Sequence, residues 1–189
     1  MKKTILLTAV VFIIFQSLAV CASGDIEDNG VFNDIYDNNT TFVSDIEYWQ
    51  SKGVIEGDGF GRFEPLERVT RAELVKMAVL AAEKTEISGG TEPEFSDVSE
   101  DDWFYPYVEY VCRNGLMEGT SAVTFDPSGT VTRGTVATIL WRLAGSPAPA
   151  DRSSFPDVEG WYYYADAAAW CAQQSIAAGY GDGSFGGGD

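Results

Sequence analysis

The chain says nearly the same thing three times, and repetition at this period restricts it to a modular architecture. Phe95, Asp97, Val98, Trp103, Gly115, Gly119 and Phe125 return, with no gap, as Phe155, Asp157, Val158, Tyr163, Ser175, Gly179 and Phe185. An earlier copy begins at Phe32, Asp34 and Ile35 and runs through Gly53, Gly57, Phe63 and Pro65. A unit of about fifty residues buries too little apolar surface to stand alone. The copies must therefore pack on one another, and the seams between them are natural binding grooves.

The repeats divide the chain into a signal segment (1–22), a linker (23–31), repeat one (32–86), a linker (87–94), repeat two (95–145), a Pro/Ala linker (146–154) and an incomplete repeat three (155–189). The first segment carries Lys2 and Lys3, an apolar run from Ile5 to Phe15, and small residues around Val20, Cys21 and Ala22. That is the pattern of a secretory signal. Val20 and Ala22 suit cleavage before Ser23. The alternative is a lipoprotein signal over Leu18 to Cys21, which places bulky Val20 where a small residue normally precedes the lipidated cysteine. The run is too short for a membrane span, so the mature chain is expected to be exported without one.

The net charge is −17, and losing the signal removes two lysines and no acid. Nucleic acid and anionic membranes are thereby poor partners. The absence of histidine excludes imidazole-based triads and most zinc-enzyme ligand sets. Cys112 and Cys171 read as buried thiols, with a bridge as the alternative in an exported protein. No metal spacing stands out, and no cofactor is implied. Gly57-Asp58-Gly59 and Gly181-Asp182-Gly183 lack the alternating acids of a calcium loop and fit tight turns better. A glycosidase could use carboxylates alone. The acids here, however, recur at cap and turn positions rather than forming one singular pair, so no catalytic residue is assigned.

Repeat two shows the unit most clearly. Ser99 to Asp102 can cap a helix starting near Trp103, whose packed face would carry Trp103, Tyr107, Tyr110, Val111 and Asn114, with Gly115 as its left-handed stop. A glycine-bounded loop follows, in which Phe125 plugs apolar space and Pro127 forbids early helix. The second helix enters at Val131, Thr132 and Arg133, continues through Val136, Ile139, Leu140 and Leu143, and stops at Gly145 and Pro147. The fold class expected is all-α, built of tandem helix-loop-helix repeats with minor short extended segments.

In repeat one, Thr70 and Glu73 form a capping box. Thr132 is the corresponding cap in repeat two, weakened because Thr135 replaces the glutamate. Arg71 and Arg133 each follow the cap, where a cation runs mildly against the helix dipole. A residue placed against local preference invites a functional explanation. Repeat three stops before any second helix. Either the sequence is truncated there or the partner helix comes from elsewhere, and truncation is the favoured reading because the apolar face from Ala165 to Ile176 would otherwise lie uncovered.

Phe-x-Asp-Val, the aromatic after it, Gly115-Leu116-Met117-Glu118-Gly119 or Ile176 through Phe185, the Phe-x-Pro step and Thr70-Arg71-Ala72-Glu73, taken in order, resemble the S-layer homology domain. The resemblance implies a pseudo-threefold prism of three repeats whose central helices pack together. It also implies grooves that hold a secondary cell-wall polysaccharide linked to peptidoglycan, often pyruvylated, so that the chain anchors an S-layer or surface protein, with S-layer self-association as a further partner. The family's arginine maps to Arg71 and Arg133 alone. A guanidinium offers a ketal-linked pyruvate two parallel donors, in a groove that need only be locally positive. Trp103 and Tyr163 are sugar-stacking candidates whose plainer reading is packing. Asp97 and Gly119 are further candidates whose plainer readings are cap and turn. A larger surface enzyme, for instance a glycoside hydrolase anchored by this segment, is the alternative.

Overall fold

The structure, a computed structural model, describes residues 32–35, 42–83, 94–151 and 155–189. The expected signal and first linker lie outside them, as do most of the second linker and residues 152–154. Five helices are present among the described residues: α1 (Val43–Ser51), α2 (Arg71–Ala81), α3 (Tyr105–Arg113), α4 (Arg133–Leu143) and α5 (Ala165–Gln173). The only extended pairing among them is an isolated antiparallel bridge between Thr70 and Thr130. The all-α expectation holds.

Short first helices (α1, α3, α5) alternate with longer second helices (α2, α4). Each long helix packs on the first helix of the following repeat, α2 on α3 and α4 on α5, and α2 touches α4 at the centre. One apolar cluster runs through all of them. It includes Ile46 and Trp49 of α1, Leu74 and Val75 of α2, Val108 and Val111 of α3, Ile139 and Leu140 of α4, and Ala167, Ala168 and Cys171 of α5. No repeat has a core of its own, and burying these side chains against a neighbour stabilises the array by roughly 1.5 to 3 kcal/mol per large aliphatic residue.

Two expectations are corrected. Helix α3 begins at Tyr105, not near Trp103, and its N-cap Phe104 makes no side-chain cap. Ser99 to Asp102 forms a turn of its own instead: Asp102 accepts from the Ser99 N–H at 2.8 Å, and the Tyr105 N–H donates to the Asp102 carbonyl. Pro106 then fixes the first turn, where its missing N–H costs nothing. Trp103 therefore stands outside the helix and is 55 % exposed.

The second correction concerns α5. Its face is not bare: Ala167, Ala168 and Cys171 are 0 % exposed, covered by α4 of the preceding repeat. The argument for truncation from an uncovered face therefore falls. The described residues hold two central helices where the expected prism has three.

Helix ends follow the sequence closely. Thr70 and Glu73 make the reciprocal capping box, and the Thr132 hydroxyl accepts from the Thr135 N–H without a carboxylate to return the bond. Gly115 is left-handed at φ 63° after α3, and Ser175 adopts φ 56° after α5, a conformation that a non-glycine residue enters only at some cost.

Candidate functional site

Each repeat is held together by the same clamp. The Asp97 carboxylate accepts from the N–H groups of Phe125 (2.9 Å) and Asp126 (2.7 Å). Asp157 does the same for Phe185 and Gly186, and Asp34 for Phe63 and Glu64. The clamp fixes the plug phenylalanine against the aromatic that opens the repeat. Ring centroids lie 5.7, 5.6 and 5.0 Å apart in Phe32–Phe63, Phe95–Phe125 and Phe155–Phe185. Asp97 is held below the usual carboxylate range: burial pushes it up, but the two backbone donors and the nearby Arg71 outweigh that. Gly119 belongs to the same clamp, since a Cβ there would stand 2.5 Å from the Thr124 carbonyl and 2.6 Å from the Phe95 ring. Both residues serve the loop.

The two arginines join repeats. Arg71 donates from Nε to the Phe125 carbonyl (2.8 Å) and from Nη2 to that of Glu118 (2.7 Å), with its guanidinium 4.6 Å from the Phe125 ring centroid. Arg133 repeats the arrangement one module on, from Nε to Phe185 (2.9 Å) and from Nη2 to Ala178 (3.2 Å), against the rings of Tyr180 and Phe185. Backbone donors at the helix starts cross the same seams. The N–H groups of Arg71 and Ala72 donate to Gly129 and Pro127, those of Arg133 and Gly134 to Asp189 and Gly187. Burial lowers both guanidinium pKa values, opposed at Arg71 chiefly by Asp126 and at Arg133 by Tyr180 and Asp189.

This geometry bears directly on glycan contact. Arg133 is 6 % exposed, too enclosed to present a bidentate fork to a sugar acid. Arg71 is half-buried, and its Nη1 makes no hydrogen bond among the described residues. The helix-start donors are already spent on loop carbonyls.

A groove of about 680 Å³ opens beside the first seam. Its walls are the loop of repeat one (Val54 to Val69), the outward side of α2 at Glu73, Lys76 and Met77, and Trp103 with Tyr107 of repeat two. Lys76 Nζ lies 5.4 Å from the Trp103 ring centroid and pairs with Glu56 at 2.6 Å. Carboxylates outnumber cations on these walls, so the expectation of a locally positive groove is not met. What the groove offers is an exposed indole with a cation at its face.

The second seam differs at the matching positions. Thr135 stands for Glu73, Thr138 for Lys76, Tyr163 for Trp103 and Ala167 for Tyr107. The Tyr163 hydroxyl lies 3.1 Å from Thr135 Oγ1, spanning the place where the first seam is open. Tyr164 packs on Gly134 and Gly187 behind it. Sequence reasoning reached Trp103 and Tyr163 but missed Lys76, Met77 and Arg68. The spacing of Lys76 to Glu73, three residues apart on one side of α2, is the signal that could have found it. The aspartates of the two Gly-Asp-Gly turns are engaged locally: Asp58 accepts from Phe60, Arg62 N–H and the Arg62 guanidinium, and Asp182 from Ser184.

Three clamped helical modules, stapled by arginines and leaving an aromatic groove between two of them, define a repeat protein with an open seam between repeats one and two. The chain belongs to the S-layer homology domain family, whose profile matches residues 31–75, 94–137 and 154–189. It is 35 % identical over 105 residues to the Surface-layer 125 kDa protein of Lysinibacillus sphaericus (56 % of this chain, 9 % of that protein). It is 29 % identical over 147 residues to the S-layer protein sap of Bacillus anthracis (74 % and 17 %). It is 35 % identical over 121 residues to the Exoglucanase XynX of Acetivibrio thermocellus (64 % and 11 %). The chain thus spans between 9 % and 17 % of these relatives' length. Family membership makes it a secreted protein of the cell surface, and no helix among the described residues is long and apolar enough to cross a membrane.

Proposed function

We propose that this chain is a non-catalytic anchoring module that attaches a surface protein to the cell wall by binding a secondary wall polysaccharide. The observation that carries the reading is Trp103, half-exposed beside Lys76 in the groove between repeats one and two. An aromatic face can lie along a sugar ring, while the Lys76 ammonium supplies donors for hydroxyls or for the carboxylate of a pyruvylated residue. In this reading Trp103 and Lys76 touch glycan, while Arg71, which is engaged by the Phe125 and Glu118 carbonyls and is not among the groove's walls, joins the repeats. Arg133, Asp97, Gly119 and the caps Thr70, Glu73 and Thr132 hold the frame, and Tyr163, itself 63 % exposed, bridges to Thr135 across the second seam.

Co-sedimentation with wall sacculi tests it. The protein is expected to pellet with untreated sacculi and to stay in solution with acid-stripped ones. Equal pelleting with both, or with neither, would reject the reading.

A second reading rests on the match to Exoglucanase XynX, which covers 11 % of that enzyme. In it the same module tethers a carbohydrate-active enzyme instead of a lattice protein. Sedimentation would be unchanged, and only the full gene product's activity on a glucan separates the two.

A further inference from the structure

Phe60 is the most exposed large apolar side chain among the described residues, at 84 %, and the turn that carries it is locked. The Asp58 carboxylate accepts from the Phe60 N–H (2.8 Å), the Arg62 N–H (3.1 Å) and Arg62 Nε (2.7 Å), and the Asp58 N–H donates to the Arg62 carbonyl. That carboxylate is enclosed, the Asp58 side chain being 15 % exposed against 51 % for Arg62. The tip therefore shows solvent a phenyl ring and a guanidinium.

The phenyl ring has no part in the turn. With Phe63 in register with Phe125 and Phe185, Phe60 stands where repeat two has Ala122 and repeat three Asp182, and Arg62 where they have Thr124 and Ser184. Ala122 and Asp182 are exposed too, although Arg71 and Arg133 close the loops that carry them. The place faces solvent whether or not its loop is closed. An aromatic held rigidly in water, where the sister modules carry small or polar residues, marks a contact surface.

A concavity of matching chemistry lies in repeat two. A pocket of about 580 Å³ has Phe95, Val98, Tyr105 and Val123 as its apolar lining, with the exposed Glu94 and Glu100 in its wall. Neither carboxylate joins an ion pair among the described residues. This pocket shares no residue with the groove beside Trp103.

We infer that the Phe60 turn of one copy docks in this pocket of a second copy, with the ring on the apolar lining and the Arg62 guanidinium beside Glu94 and Glu100. Charge selects the occupant. In a chain with 29 acids against 12 bases, a tip that presents a cation is complementary to the surface of its own kind, and the unpaired acids of the pocket repel an anionic glycan. Tip and pocket are different patches, so each copy keeps one of each after a contact forms, and the association runs head to tail. This goes beyond the glycan reading and leaves the Trp103 groove open.

The test is sedimentation velocity of the secreted chain at physiological salt, where repulsion between two acidic copies is screened beyond about 8 Å. A single anchor gives a weak contact, so concentrations run from about 10 μM to about 1 mM. The sedimentation coefficient is expected to rise across that range. Phe60→Asp, which gives the turn the residue of repeat three, should weaken association about tenfold or more. Both sites are exposed, so Phe60→Asp and the double variant Glu94→Arg/Glu100→Arg should unfold at the parent's midpoint. The first keeps the pocket and the second keeps the tip. Neither should associate alone, while their mixture should form a one-to-one complex and grow no further. A parent chain that stays monomeric throughout, association undiminished by Phe60→Asp, or a mixture that stays monomeric would overturn the assignment. So would association that requires added wall polysaccharide, which would give the tip to a glycan.

Discussion

Arg133 Nε donates to the carbonyl of Phe185, 52 residues further along the chain, at 2.9 Å, and this bond closes the seam between repeats two and three. Arg71 and Phe125 stand in the same relationship 54 residues apart. The arginine after the threonine cap is thus first a device for joining modules. It accepts the slightly unfavourable interaction with the helix dipole because two loop carbonyls and an aromatic face need a planar cation.

The first prediction is that Arg133→Ala destabilises the fold by about 2 to 4 kcal/mol, since it strands two carbonyls and uncovers Phe185. Arg71→Ala, at a half-buried site, should cost about 1 to 2 kcal/mol. Urea unfolding with an unchanged slope measures both. A loss below about 0.5 kcal/mol for Arg133→Ala, the range of ordinary surface substitutions, would remove the seam from the account.

The second prediction concerns acid. Asp97 has a folded-state pKa below its unfolded value, so its contribution is fully present above the unfolded value near 3.9 and is lost as pH falls through the folded one. The unfolding midpoint should therefore decline below about pH 4. Asp97→Asn should start less stable at pH 7 and decline less steeply across that window. Parallel curves for the two proteins would show that Asp97 is not a source of the acid sensitivity.

Much of this was legible in the sequence, and the part that was not has a common cause. The caps at Thr70 and Thr132 and the stops at Gly115 and Gly145 depend on residues within a few positions of one another, so local chemistry suffices to place them. Even the left-handed Ser175 is signalled, because it replaces a glycine of the preceding repeat. The pairing of Arg71 with Glu118 and Phe125, and the closure of Tyr163 on Thr135, join different modules. No periodicity within a module carries that information. The early placement of α3 at Trp103 came from reading Ser99 to Asp102 as a cap, when Asp102 turns back on Ser99 and Pro106 sets the start.

The third prediction is chemical inertness of the thiols. Burial pushes Cys112 up to about 11 and Cys171 up to about 12, with Arg71 and Arg133 opposing only in part. Both are free in the structure. The thiolate is the nucleophile, so alkylation by iodoacetamide at pH 8 should be slow at both sites in the folded chain and fast in urea. Cys171, wholly buried on α5, should be the slower. Rapid modification of Cys171 under native conditions would mean that the contact between α4 and α5 opens readily.

The last prediction separates the two seams by function. Trp103 is 55 % exposed, so Trp103→Ala removes little core and should change stability by less than about 1 kcal/mol. It should nevertheless weaken retention on wall sacculi by about tenfold, the effect of losing an aromatic contact of roughly 1 to 1.5 kcal/mol. Lys76→Ala should act in the same direction, with a salt dependence that the tryptophan variant lacks, because only the lysine contributes charge. Tyr163→Phe breaks the 3.1 Å contact with Thr135 and should leave retention unchanged, since that seam is spanned by the protein itself. Binding that fell with Tyr163→Phe but survived Trp103→Ala would reverse the assignment and place the recognition seam between repeats two and three.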